Sequence, residues 1–84
     1  MRSPLRPEEV DLAIVAHALR KLVEGPIEGS IVGRTRLRDA VVEHLDCSQL
    51  EAEQIVDTMI GRGFLIETHT EEGRALWEIR TPQR

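Results

Sequence analysis

The stretch that decides the fold is Ser48–Glu67, SQLEAEQIVDTMIGRGFLIE. Ser48 and Glu51 stand three residues apart, the spacing of a capping box, so a helix is predicted to start at Ser48. Ala52, Ile55, Val56, Met59 and Ile60 recur at helical spacing and give it one apolar face. Gly61-Arg62-Gly63 stops it near Gly61. Phe64 to His69 then changes to a strand-like run. Thr70-Glu71-Glu72-Gly73-Arg74 reads as a turn, and Ala75 to Arg80 as a returning strand. In that strand Ala75, Trp77 and Ile79 alternate onto one face.

Upstream, Leu37, Val41 and Leu45 repeat every four residues, which predicts a second helix from a Thr35 cap to about Leu45, joined to the next by Asp46-Cys47. Gly29-Ser30-Ile31-Val32-Gly33 is a β-branched run between glycines and is read as a brief strand. A first helix is predicted from Pro7, a residue suited to the first helical position, to Glu24, with Gly25 and Pro26 as the stop. Residues 1–6 are expected to form a flexible arm, 7–81 the domain and 82–84 a tail.

On a helical wheel the first helix carries two apolar stripes. Val10, Ile14, Ala18 and Leu22 form one, and Leu12, Val15, Leu19 and Val23 the other. Glu9, His17, Arg20 and Glu24 lie opposite. The apolar arc spans roughly 200°, wider than one core requires. A monomer rarely leaves such a patch open, and a two-fold copy of itself is the simplest cover. A homodimer is therefore expected. The wheel alone leaves open which stripe faces outward; Leu12, Val15, Leu19 and Val23 are assigned as the candidate dimer face.

Helix, short strand, helix, turn, helix, hairpin is an order that resembles the winged helix-turn-helix superfamily. The Ile55–Glu67 segment is similar to the end of a recognition helix entering the first wing strand, as in small bacterial regulators. Trp77-Glu78-Ile79-Arg80-Thr81 is similar to the returning wing strand. The resemblance implies an α+β fold: three helices, a short strand and a C-terminal two-stranded wing hairpin. It also implies that the third helix and the wing form the contact surface. On this chain those positions are Gln49, Glu51, Glu53, Gln54 and Asp57 on the helix, and Thr70, Glu71, Glu72, Gly73 and Arg74 at the wing tip.

Charge opposes the usual use of that surface. The chain has 84 residues and a formal net charge of −4. DNA affinity depends on cations that neutralise phosphate, and carboxylates at these positions work against it. Arg34, Arg36 and Arg38 are the one dense cationic run and the candidate basic patch. A non-catalytic protein–protein module is the expectation, with an unknown protein partner; a DNA-binding transcriptional regulator is the alternative.

Other classes find little footing. Two aromatics, Phe64 and Trp77, are too few for a base-stacking platform. Catalysis needs a nucleophile–base pair or paired carboxylates in a cleft, and no such motif, phosphate loop or nucleophile elbow is visible. No enzyme activity, small-molecule substrate or cofactor is expected. His44 and Cys47 are three apart, but His17 and His69 complete no metal motif, so no metal is expected. A single cysteine excludes an internal disulfide. No apolar run reaches the roughly 20 residues a bilayer needs, and the first residues lack a signal-peptide core. No membrane association and a cytoplasmic location are the corresponding expectations.

Overall fold

The computed structural model describes residues 6–81. It is an α+β domain of three α-helices and one three-stranded antiparallel sheet. A short 3-10 turn at Pro7–Glu9 precedes α1 (Leu12–Leu22). Next come β1 (Ile27–Glu28), α2 (Ser30–Leu45), α3 (Gln49–Gly61), β2 (Leu65–His69) and β3 (Ala75–Ile79). The sheet order is β1-β3-β2, so the last strand of the chain lies in the middle.

The capping box at Ser48 is formed. Ser48 Oγ accepts from the Glu51 N–H at 3.1 Å, and Glu51 Oε1 accepts from the Ser48 N–H at 2.9 Å. Two of the donors orphaned at the start of α3 are thereby satisfied. The hairpin also follows the pattern read from sequence, with Leu65 opposite Ile79, Glu67 opposite Trp77 and His69 opposite Ala75. Its turn closes through the Thr70 N–H donating to Arg74 O, and Gly73 takes a φ of 85° that favours glycine.

Two expectations about element boundaries are corrected. The first helix does not run unbroken from Pro7 to Glu24. The chain is extended at Val10, and Asp11 caps a new helix, its Oδ1 accepting from the N–H groups of Ala13 at 3.0 Å and Ile14 at 3.4 Å. An aspartate that satisfies two orphan donors makes a better helix start than Pro7, whose turn is left as a 3-10 piece.

The brief strand is also misplaced. Ile27 and Glu28 form it, pairing with Trp77 and Leu76. Ile31 and Val32 instead lie in the first turn of α2, which begins at Ser30 rather than after Thr35. The cause is tertiary. The Gly29 N–H donates to Ala75 O at 2.9 Å, and Gly29 O accepts from the Trp77 indole N–H at 3.0 Å. With a φ of 92°, Gly29 ends the strand and turns the chain into the helix. One turn later Gly33 passes under the Trp77 ring.

The core lies between the helices and one face of the sheet. Leu19, Leu37, Ile55, Met59 and Leu65 are its largest fully buried side chains. Leu12, Val15 and Leu19 belong to it, and Val23 packs half-buried against it. The candidate dimer face is therefore corrected: those residues are the inward stripe of α1. Asp11 sets where the helix starts, and the wider row of Leu12, Val15, Ala16 and Leu19 is the one that fills the space against the rest of the core. The other stripe is outward, with Ile14 60% and Leu22 41% exposed.

Two outcomes follow from this packing. Leu19→Ala should cost about 2–5 kcal/mol in urea unfolding, as removal of a buried leucine does, whereas Ile14→Ala should change stability by about 0.5 kcal/mol or less. A Cβ on Gly33 would lie 2.5 Å from Trp77 Cδ1 and 3.2 Å from Glu28 O. Gly33→Ala should therefore destabilise by about 1–3 kcal/mol and alter the Trp77 fluorescence of the folded state.

Candidate interaction surface

The outward face of α3 is built by the same periodicity that buries its inner face. Ala52, Ile55, Val56 and Met59 are buried, which turns Gln49, Gln54 and Asp57 to solvent and leaves Glu51 and Glu53 half-buried. Glu51 is occupied by the capping box. Glu53 and Asp57 face α2. Arg34 donates to Asp57 through Nη2, and the same nitrogen lies 3.4 Å from Glu53 Oε2. Arg38 Nη1 lies 3.5 Å from Glu53 Oε1, and its Nη2 donates to Asp39 at 3.0 Å. Five side chains thus form one ion network across the α2–α3 seam.

The network holds both guanidiniums above their ordinary pKa. For Arg34 the largest cause is the hydrogen bond to Asp57, opposed by partial burial and aided by the charges of Asp57 and Glu53. For Arg38 the hydrogen bond to Asp39 leads. A raised folded-state pKa stabilises at every pH below the unfolded value and is lost only as pH rises through the folded one. Arginine is charged throughout the ordinary pH range, so raising these guanidiniums contributes no pH dependence there.

The candidate basic patch is therefore corrected. Arg34, Arg36 and Arg38 do not sit at a helix start, because α2 begins four residues before Arg34. Nor do all three share a face, since residues two apart on a helix point about 200° apart, which turns Arg36 away from Arg34 and Arg38. Arg36 points away from the network and donates to Pro26 O and Glu24 O, both at 3.1 Å. It ties the α1–β1 loop to α2.

At the hairpin tip Glu71, Glu72, Gly73 and Arg74 are exposed, and Arg74 lies 4.0 Å from Glu28. Deeper in the hairpin, Glu67 accepts a hydrogen bond from the Ser30 hydroxyl at the start of α2. The structure does not merge helix face and hairpin tip into one cleft. One shallow cavity among the described residues, of about 510 Å³, is lined by Glu28, Gly29, Val32, Gly73, Arg74 and Ala75. Among the described residues, no group of three or more His, Cys, Asp or Glu could hold a metal ion. No helix of the described residues is long and apolar enough to cross a membrane.

Sequence reasoning missed one part of the surface. Ile31, Val32 and Leu50 are exposed, Ile31 at 79%. Ile31 and Val32 were hidden by their reading as a strand. Leu50 had a visible signal, being an apolar residue off the periodic set of its helix. No family model, curated protein or solved structure matches this chain.

The network is open to solvent, with the Asp57 side chain 66% exposed. Its stabilisation is accordingly small. Arg34→Met should cost about 0.5 kcal/mol after screening, and urea unfolding in 1 M NaCl should shrink the difference between variant and parent.

Proposed function

We propose that this chain is a non-catalytic winged-helix module that binds protein, itself included as a homodimer, rather than duplex DNA. The order of elements and the β1-β3-β2 sheet agree with the winged-helix arrangement that the sequence resembles. In that arrangement α3 is the recognition helix and β2–β3 the wing.

The observation that carries the choice of partner is the fate of the cations. Arg34 and Arg38, which face α3 across its seam with α2, are engaged by Glu53, Asp57 and Asp39. A phosphate backbone would have to break those pairs and approach the carboxylates they leave. The exposed apolar residues, Ile14 and Leu22 on α1 together with Ile31, Val32 and Leu50, favour a protein surface instead.

Fluorescence anisotropy with random duplex DNA tests this. At about 150 mM salt no submicromolar binding is expected, and any residual binding at about 50 mM should have a shallow salt slope. Submicromolar binding at the higher salt that is lost on Gln54→Ala would overturn the reading in favour of a DNA-binding regulator. Sedimentation equilibrium supplies the second arm, with a mass above the 9.5 kDa monomer expected.

A further inference from the structure

We propose that a second copy of this chain docks antiparallel along α1, with the two-fold axis passing beside Ala18. The proposal rests on the homodimer reading and adds its geometry. Ile14 and Leu22 lie four residues either side of Ala18, each about 6 Å from it along the helix. All three share the outward stripe. Ala18 is the small residue between two exposed large ones, so two helix backbones can approach closely there.

A two-fold axis reverses the neighbour. Ile14 of each copy then meets the partner's Leu22, and the contact occurs twice. Beside Leu22 lies a shallow cavity of about 230 Å³ between α1 and α2. Leu22, Val23 and Ala40 supply its apolar wall, and Arg36, Asp39 and Glu43 its rim. It is a socket of the right character for the partner's Ile14.

Charge selects the antiparallel sense. Asp11 lies at the N-terminal end of this face and Lys21 at its C-terminal end, both exposed. A parallel pair would set like charges together. The antiparallel pair sets Asp11 of each helix toward Lys21 of the other. With the crossing at Ala18, Lys21 falls about 6 Å short of the partner's Asp11 along the axis, within reach of a lysine side chain. Opposed helix dipoles act in the same direction.

The other exposed apolar residues make a poorer self-contact. Val32 lines a groove whose two charged residues, Glu28 and Arg74, already lie 4.0 Å from each other.

Three single variants and the parent test the arrangement. Ala18→Cys should form a disulfide-linked dimer under mild oxidation, because residues beside a two-fold axis bring their Cβ atoms together. The parent should not, since Cys47 is buried, and Ile31→Cys should not. Ile14→Lys puts a cation against the partner's Leu22 and Lys21; it should raise the dimer Kd about tenfold or more with an unchanged circular dichroism spectrum. If the parent dimerises but Ala18→Cys stays unlinked and Ile14→Lys keeps its Kd, this arrangement is wrong and the homodimer reading stands. If the parent is a monomer in sedimentation equilibrium at high concentration, both fall.

Discussion

The contact between Trp77 and the two glycines of α2 and its approach organises the domain. Trp77 sits in the central strand, opposite Ile27 on one side and Glu67 on the other. Its indole N–H is satisfied by Gly29 O, and its ring lies where any side chain at position 33 would have to go. One residue therefore ties together the end of β1, the start of α2 and the middle of the sheet. A buried indole needs a partner for its N–H, and a helix can pass this close to a ring only where it lacks a Cβ. A side chain at position 33 would force the Trp77 ring or α2 to shift, at the seam where Leu37 and Val41 are buried.

Around that contact the helices divide their labour by face. α3 buries Ile55, Val56 and Met59 completely and turns its acids toward α2. There Arg34 and Arg38 meet them, so the seam is apolar inside and ionic outside. The ionic layer is solvated and adds little stability. Its consequence is for recognition: it engages two of the cations that would attract a polyanion, Arg34 and Arg38, and two of the α3 carboxylates that would repel one, Glu53 and Asp57. What remains outward on α3 is close to neutral around Gln49 and Gln54, beside the exposed Leu50.

α1 differs in having an apolar residue on nearly every side except that of His17 and Arg20. Its inward row closes the core, and its outward row is spaced evenly about Ala18. For a domain this short, which buries a modest fraction of its chain, a second copy is a natural source of further burial.

Local chemistry determined much of this from sequence alone. The Ser48–Glu51 box, the stop at Gly61-Arg62-Gly63 and the alternation of Ala75, Trp77 and Ile79 each act within a few residues, and each is realised. Two apolar stripes on the first helix were equally legible, but not which one faces the core. That choice depends on what α2, α3 and the sheet bring against α1, and a wheel of one helix carries no such information. The same limit applies at Gly29–Gly33. By propensity Ile31 and Val32 favour a strand, yet the hydrogen bonds of Gly29 to Ala75 and Trp77, residues nearly fifty positions away, start a helix there. The three arginines show it again: a run in sequence suggests a patch, but a helix sends alternate positions to opposite sides, and partners from α3 and from the α1–β1 loop take them up. Contacts within one turn or one hairpin are set by neighbours in sequence; the facing of a helix and the pairing of a charge are set by neighbours in space.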